Sequence, residues 1–431
     1  MRRALRENAV CASAAAASSA AMAWLGLYGL AWNDYDNEVR PAYQALVHGH
    51  LARFLALAPA YGGSLIERAP FALVPGLWGA GQLAVYRAVA LPCLLAAAAL
   101  GVWLVAWMRS RGRSTLARAV ALGLCVANPV TLRALELGHP EELLGACMCV
   151  GAALLAIRAP DSRRRALLAG ALLGLAIANK GWALLAVGPV LFALSPTQRK
   201  QCLASALLVS ALLLAPLALV GSGGFLASTR AVAAPAASTI FQPWQLWWFF
   251  AHHGALVHGL FGAPKPGYRI APAWAGAVSH PLILASALAL AAWLWRRARR
   301  AALPGPQALL ALAFILLARC VLDTWDTEYY TLPLLFALLA WELSWRERHP
   351  PALTLAVTVV VWLDFQWLPA HVSPDAQAAF FLVWSLALAA WLGQRLRAAG
   401  RTARGGTPEP DSRVRAQGTT VSVFGRLVRI S

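Results

Sequence analysis

The chain has 431 residues, of which 60% are hydrophobic and 13% are charged, and its formal net charge is +19 at pH 7. This composition excludes an ordinary soluble domain and indicates a multi-pass membrane protein. The basic residues are dispersed over short loops rather than gathered in one domain, so no nucleic-acid partner is expected.

Membrane spans are predicted from the apolar stretches, because a helix needs about 20 apolar residues to cross the hydrocarbon. The candidate stretches are residues 9–31, 83–108, 117–131, 141–158, 165–179, 181–195, 201–221, 279–295, 306–322, 329–345, 351–368 and 376–394. Three of them (117–131, 165–179 and 181–195) are short for a full crossing, which is tolerated where the backbone lines a polar cavity. We therefore expect an all-α polytopic fold of about 12 transmembrane or re-entrant helices.

Six polar clusters alternate with arginine-rich segments along this series of spans. The polar clusters are residues 33–38, 136–142, 179–180, 242–253, 323–330 and 369–375. The arginine-rich segments are residues 1–6, 109–113, 158–165, 199–200, 296–300, 346–348 and 395–404. By the positive-inside rule the arginine-rich segments are cytoplasmic, so all six polar clusters face the opposite, outer side. This sorting is expected of an enzyme that works at one membrane surface.

Two outer loops are long enough to fold on the membrane surface. Within residues 32–82, the segments 41–51 and 54–57 alternate apolar and polar side chains at helical spacing, which predicts one or two amphipathic helices in the interface. Residues 222–278 are rich in aromatic side chains, and Trp248 and Phe250 are interpreted as an interfacial belt. The polar segment 398–431 is predicted to be a disordered cytoplasmic tail, which leaves residues 1–397 as a single membrane domain.

The first outer loop opens with three acids, Asp34, Asp36 and Glu38, at the depth of lipid headgroups. A carboxylate there can take a proton from a sugar hydroxyl, and burial can raise its pKa into the useful range. The same residue types also suit helix caps and solvated turns. In a helical segment Asp34 and Glu38 would share a face that Asp36 does not.

Three basic side chains are placed where a phosphate could bind. Arg319 lies near the outer end of an apolar span, where its charge is costly without a partner. That partner is either Asp323, one helical turn away, or a phosphate, which matches the guanidinium geometry. Lys180 lies between two short spans, where it either snorkels or binds a ligand. Arg68 follows Glu67, and a surface ion pair between them is the simpler interpretation.

Further polar groups precede the span at 141–158 and line the aromatic loop. Glu141 and its neighbour Glu142 suit the start of a helix electrostatically. Trp244 and Gln245 are candidates for lining a sugar-binding site. The spacing of the histidines His252, His253 and His258 matches no standard metal site, so no metal or other cofactor is expected. All seven cysteines lie in or beside apolar spans and are interpreted as small core residues.

The outer motifs, in their order along the chain, resemble the GT-C superfamily of polytopic glycosyltransferases, and within it the family-87 branch of mannosyltransferase-like bacterial enzymes. The matching segments are Asn33-Asp34-Tyr35-Asp36-Asn37-Glu38, Ala58-Pro59-Ala60-Tyr61-Gly62-Gly63-Ser64, Arg68-Ala69-Pro70-Phe71, Gly138-His139-Pro140-Glu141-Glu142, Asn179-Lys180-Gly181-Trp182, Pro243-Trp244-Gln245-Leu246-Trp247-Trp248, and Arg319-Cys320-Val321-Leu322-Asp323 with Tyr329-Tyr330. The likeness is confined to the region between roughly residues 20 and 345.

This resemblance implies an enzyme of the bacterial plasma membrane whose active site faces the extracytoplasmic side. It would transfer a mannose-like hexose from a polyprenyl-phosphate donor to a lipid-linked or cell-envelope glycan acceptor. The family's catalytic acid maps best onto Asp34, with Asp36 and Glu38 as alternatives, and its phosphate-binding groups map onto Arg319 and Lys180. Substrate contacts are expected from Tyr61, Arg68, Arg133, His139, Glu141, Lys180, Trp244, Gln245, Trp247, Arg319, Asp323 and Tyr330. The competing interpretations are a lipid-linked-sugar transporter or flippase and a polymerase or ligase of lipid-linked glycans.

Overall fold

The computed structural model describes residues 2–25, 34–76, 81–220, 224–233, 241–254, 257–258, 264–345 and 350–402. Within these ranges the chain is almost entirely helical, as predicted. The α-helices are α1 (Arg2–Leu25), α2 (Arg40–Val47), α3 (Leu51–Ala56), α4 (Gly62–Gly76), α5 (Gln82–Ser110), α6 (Thr115–Val126), α7 (Pro129–Glu136), α8 (Pro140–Arg158), α9 (Arg163–Asn179), α10 (Val187–Phe192), α11 (Pro196–Val220), α12 (Gly224–Ala233), α13 (Ala273–Ala298), α14 (Gly305–Leu322), α15 (Leu332–Trp345), α16 (Ala352–Trp362) and α17 (Pro374–Thr402). Most of the predicted tail, residues 403–431, lies outside the described residues.

Eight helical segments in the described part of the chain are long and apolar enough to cross a membrane. They are α5, α6 with α7, α8, α11, α13, α14, α16 with the turns up to Ala370, and α17. This finding indicates a multi-pass membrane protein. The helices α1, α9 and α15 and the helical segment Gly181–Phe192 correspond to the other four predicted spans, but they do not meet the same criterion. The total of about 12 crossings therefore stays a prediction.

Among the eight segments long enough to cross a membrane, α8 and α14 are the most buried, and α15, which is buried throughout residues 332–343, joins them at the centre of the bundle. In α8, 83% of the most apolar stretch is buried, and in α14 the share is 72%, against 17% in both α11 and α13. The outer helices pack through small residues: a Cβ atom on Gly170 of α9 would clash with the carbonyl oxygen of Cys202 on α11. Glycine at this position therefore allows the close approach of α9 and α11, as at many interfaces between membrane helices.

One end of the bundle, here called the acidic end, gathers all six polar clusters predicted from the sequence. Side-chain contacts join each cluster to another: Asp34 to His139, Lys180 to Glu141, Tyr329 to His139, Gln245 to Thr324, and Trp248 to Asp375. The clusters are separated by up to hundreds of residues in the chain but are contiguous in space. The predicted sorting of polar groups to one end is therefore confirmed.

The opposite end, here called the arginine end, gathers residues 109–113, 158–165, 194–200, 296–304 and 343–345. Its arginines bind backbone carbonyls of neighbouring segments: Arg113 Nη2 donates to Leu343 O at 2.8 Å, and Arg199 Nη2 donates to Ala298 O at 2.6 Å.

Near the same end, arginines lie over tryptophan rings one helical turn earlier, with the guanidinium carbon 4.0–5.2 Å from the ring centre. The pairs are Trp107 with Arg111, Trp293 with Arg297, Trp295 with Arg299, and Trp391 with Arg395. Such pairs are typical of a membrane interface, where the ring is partly apolar and the cation reaches water.

The first loop folds as predicted but into more helices than expected. A π-helical turn at Tyr35–Val39 leads into α2, and α3 and α4 follow. Helix α2 buries Tyr43 and Ala45 and exposes Gln44, which is the amphipathic alternation predicted from the sequence. Because the hydroxyl of Tyr43 donates to Leu65 O at 3.3 Å, this loop is attached to α4.

The aromatic loop contains the strands in the described part of the chain, each of two residues. The strand β1 (His252–His253) pairs with β4 (Arg269–Ile270), and β2 (Val257–His258) pairs with β3 (Pro264–Lys265), both antiparallel. The interfacial-belt interpretation is wrong for Trp248, which is fully buried and donates to Asp375 at 2.7 Å. Phe250 is 62% exposed, as a belt residue would be. Composition alone does not distinguish belt from core aromatic residues.

The two ends predict opposite accessibility to a membrane-impermeant thiol reagent. We expect cysteines at His50 and His371, exposed at the acidic end, to be labelled in intact cells, and cysteines at Arg111 and Arg163, exposed at the arginine end, to need permeabilisation. The unsubstituted protein is the control for its seven native thiols. Equal labelling of all four positions would contradict the two-ended arrangement.

Candidate functional site

Glu141, at the start of α8, is the centre of the polar network at the acidic end. Its side chain is fully buried and contacts three basic groups. Arg68 Nη2 lies 3.3 Å from its Oε2, while His139 Nδ1 and Lys180 Nζ lie 2.8 and 3.2 Å from its Oε1. A buried carboxylate is tolerated when it is paired and hydrogen-bonded in this way.

Arg68 is held rigidly by its own helix. Its Nε donates to Ser64 O at 3.1 Å and its Nη2 to Ser64 Oγ at 3.0 Å, within one turn of α4. Helix α4 can approach α9 closely because a Cβ on Gly63 would clash with the carbonyl oxygen of Ala178. The expected surface pair between Arg68 and Glu67 is therefore wrong: Arg68 is buried and its partner is Glu141, 73 positions further along the chain.

His139 connects this buried centre to Asp34. Its Nε2 lies 3.0 Å from Asp34 Oδ2, so both ring nitrogens have carboxylate partners, as in an imidazolium. Burial and the charge of Lys180 lower the pKa of His139, but the hydrogen bonds to Asp34 and Glu141 outweigh them and raise it to about 9. The ring packs against Tyr329, with 4.6 Å between ring centres. His139 is therefore a cation that holds Asp34 in place.

The three acids of the first loop separate in space. Asp34 bonds to His139, whereas Asp36 pairs at 3.0 Å with Arg40 on the exposed side. Glu38 accepts a hydrogen bond from the hydroxyl of Tyr61, whose ring lies 4.1 Å from Lys180 Nζ. The helical-face prediction therefore holds, since Asp34 and Glu38 both border the network and Asp36 does not. The side chain of Asp34 is 37% exposed, so a substrate can reach it.

Arg319 lies buried beside this network. Its Nη2 is 3.4 Å from Glu142 Oε1, and its guanidinium carbon is 4.0 Å from the ring centre of Tyr330 and 5.1 Å from that of Trp182. Arg319 therefore contacts Glu142 more closely than Asp323, its expected partner. Asp323 Oδ1 instead accepts the backbone N–H of Trp325 at 2.9 Å.

Two buried donors in this region, one of Arg319 itself and one of its neighbour Trp182, have no hydrogen-bond partner. They are Arg319 Nη1 and Trp182 Nε1. Leaving such groups unpaired in the interior costs about 1–3 kcal/mol each. Glu142 Oε2 and Asn179 Oδ1 are unpaired acceptors in the same region. The region around Arg319 can therefore bind a ligand that both accepts and donates hydrogen bonds.

Positive charge exceeds negative charge in this ion-pair network. The cations are Arg68, His139, Lys180 and Arg319, and the carboxylates are Asp34, Glu141 and Glu142. With His139 protonated, the network carries one positive charge in excess. A single anion is the ligand that would neutralise it.

Three other predicted substrate-binding residues, Arg133, Trp244 and Trp247, contact residues outside this network. Arg133 Nε donates to Glu328 at 2.8 Å and also pairs with Glu136. Trp244 stacks on Phe365, with 4.4 Å between ring centres, and Trp247 is buried with its N–H on Leu322 O at 2.6 Å. Trp247 is therefore held by the fold, whereas Trp244 borders the polar loops.

The sequence pointed less clearly to Glu142, Trp182 and Tyr329, which the structure places in contact with Arg319 or His139. A carboxylate inside the first turn of an apolar span is costly unless paired, and that signal could have singled out Glu142. Among the described residues no group of three or more His, Cys, Asp or Glu side chains is placed to hold a metal ion.

Replacing Glu141 tests the buried centre. Glu141→Gln leaves Arg68 and Lys180 without their shared countercharge, and we expect the free energy of unfolding to fall by about 3–5 kcal/mol. The exposed pair of Asp36 and Arg40 is the matched control, and Asp36→Asn is expected to cost at most about 1 kcal/mol. Unfolding of both variants followed by tryptophan fluorescence in detergent measures the difference. Equal stability of the two variants would contradict this role of Glu141.

The titration of His139 predicts a loss of stability at alkaline pH. Its pKa is about 9 in the folded protein against 6.5 for an unperturbed histidine. The contribution of protonated His139 to the free energy of unfolding is therefore complete below pH 6.5 and is lost as pH rises through about 9. We expect the melting temperature to fall between pH 7 and pH 9.5, with a shallower fall in His139→Gln. Parallel curves for the two proteins would show that His139 is not the titrating group.

No protein-family model, curated protein or solved structure matches this chain. The site itself is a buried ion-pair network with one excess positive charge, in which one carboxylate, that of Asp34, can be reached by a substrate.

Proposed function

We propose that this protein is a membrane glycosyltransferase. It transfers a hexose from a polyprenyl-phosphate sugar to a lipid-linked or cell-envelope glycan acceptor on the extracytoplasmic face of a bacterial plasma membrane. The observation that carries the proposal is the position of Asp34, a reachable carboxylate within an ion-pair network whose cations outnumber its carboxylates by one and which has unpaired donors. The resemblance of the acidic-end motifs to GT-C enzymes points to the same chemistry.

The donor phosphate would bind beside Arg319. A guanidinium group can bind two phosphate oxygens through parallel hydrogen bonds, and Arg319 Nη1 is unpaired. Trp182 Nε1 supplies a second donor, and Lys180, 13% exposed, supplies a further charge. These groups would stabilise the negative charge that develops on the lipid phosphate as it leaves.

Asp34 fits the role of general base. It would take the proton of the acceptor hydroxyl while that oxygen forms a bond to the anomeric carbon of the donor sugar. The bond between the anomeric carbon and the phosphate oxygen breaks, and its electron pair leaves with the lipid phosphate. His139 would keep the Asp34 carboxylate in position and is a positioning residue rather than the base.

An apolar groove offers a place for a prenyl chain. It has a volume of about 440 Å³ and is lined by α6, the start of α7 and α16, including Leu124, Leu355 and Trp362. At the other end of α7, the carbonyl of Leu137 accepts the backbone N–H of Asp34 at 3.3 Å. An eight-residue helix is about 12 Å long, so the groove and Asp34 are separated by roughly that distance.

The proposal predicts that Asp34→Asn abolishes most transfer while the protein remains folded. Loss of a general base lowers turnover by roughly 10²–10⁴-fold. The matched control is Asp36→Asn, because Asp36 is a neighbouring acid that pairs with Arg40 outside the network. Mass spectrometry of envelope glycolipids from cells lacking the protein, complemented with each variant, measures the outcome.

We expect one glycolipid to lose a hexose in the deletion strain and in Asp34→Asn, and to recover it with the wild type and with Asp36→Asn. Full recovery with Asp34→Asn would exclude Asp34 as the base. An unchanged glycolipid profile in the deletion strain would contradict the transferase proposal itself.

A further inference from the structure

A second group of unpaired polar atoms lies at the acidic end, between the loop at residues 242–248 and the loop at 323–328. Hydrogen bonds hold the first loop against the end of α14, which leads into the second loop: Leu246 N donates to Val321 O at 2.9 Å and Trp247 Nε1 to Leu322 O at 2.6 Å. The two loops therefore lie side by side.

Asp326 is fully buried in the second of these loops, and neither of its carboxyl oxygens has a side-chain partner. It is close enough to Asp323 and Arg319 for their charges to act on its carboxyl group. Burial, reinforced by Asp323, raises the pKa of Asp326 well above its usual range. A carboxyl group in this state can both donate and accept a hydrogen bond.

Gln245 is an independent observation at the same place. It is fully buried, and its Nε2 donates to Gln242 O at 2.7 Å and to Thr324 O at 3.2 Å. These two bonds fix the amide group, so that Oε1 points away from both carbonyls, and Oε1 has no partner. A buried acceptor held in this orientation is costly unless a ligand donates to it.

The ring of Trp244 adds an aromatic surface beside Gln245. It stacks on Phe365 and precedes Gln245 in the loop. An aromatic face beside fixed hydrogen-bonding groups is a suitable arrangement for a sugar, whose C–H face is apolar and whose edge carries hydroxyls.

We propose that Asp326 and the Oε1 atom of Gln245 bind hydroxyl groups of the sugar carried by the lipid phosphate, and so determine which sugar the protein accepts. The inference rests on the proposed function, because the sugar reaches this place only if its phosphate lies at Arg319. It assigns to Asp326 a role that the sequence motifs did not indicate.

The experiment compares binding of polyprenyl phosphate with binding of polyprenyl-phosphate mannose, glucose, galactose and arabinose to the purified full-length protein in nanodiscs. We expect the wild type to bind one of the sugar-bearing lipids about tenfold more tightly than polyprenyl phosphate, which is the equivalent of one well-placed hydrogen bond. Asp326→Asn is expected to lose this preference and to bind polyprenyl phosphate as the wild type does. Unchanged binding of the bare lipid also shows that the variant is folded.

The matched control is Glu67→Gln, since both carboxyl oxygens of Glu67 are likewise buried and unpaired but lie on α4, outside the two loops. It should keep the wild-type preference. Monodeoxy forms of the preferred sugar lipid provide a second readout, because one of them should bind the wild type as weakly as the parent lipid binds Asp326→Asn.

A sugar preference that persists in Asp326→Asn would overturn the inference, and so would a wild type that binds the bare lipid and all four sugar lipids equally. A wild type that binds neither kind of lipid would instead overturn the proposed function on which the inference rests.

Discussion

The acidic end depends on the neutralisation of one buried carboxylate, that of Glu141. Its partners come from three separate segments: Arg68 from α4, His139 from the turn before α8, and Lys180 from the end of α9. Because a buried charge without a partner is strongly destabilising, the three segments cannot separate at this end without a large loss of stability. The position of Asp34 depends on the same segments, since Asp34 bonds to the side chain of His139 and to the backbone of Leu137.

The network divides its carboxylates between two kinds of environment. Glu141 and Glu142 are buried and surrounded by cations, whereas Asp34 is partly exposed. Because both glutamates are buried, a substrate cannot reach them, and they act on the charge and shape of the site. Only Asp34 combines a link to the network with access for a substrate. Burial therefore separates structural from reactive acids among residues of the same chemical type.

Hydropathy and the position of arginines were sufficient to predict the helices and their two-ended arrangement, because both depend on local composition. Which residues form ion pairs depends on contacts between residues that are far apart in the sequence. The pairs could therefore not be predicted from the sequence. Arg68 lies next to Glu67 but pairs with Glu141, and Arg319 lies one turn from Asp323 but contacts Glu142. The sequence does not single out Asp326, because an aspartate in a polar loop usually serves a turn. Its distinctive property, burial without a side-chain partner, exists only in the folded chain.

The lengths of the helices have a consequence for the acidic end. The central helices α8 and α14 have 19 and 18 residues, whereas the peripheral α11 and α13 have 25 and 26. With a rise of 1.5 Å per residue, the centre is shorter than the periphery by roughly 10 Å. The tryptophan–arginine pairs hold α13 at the interface of the arginine end, so the difference falls mainly at the acidic end. At the acidic end the two central helices therefore stop short of α11 and α13, and the space beyond α14 is taken by the polar loops, which bond to its last residues.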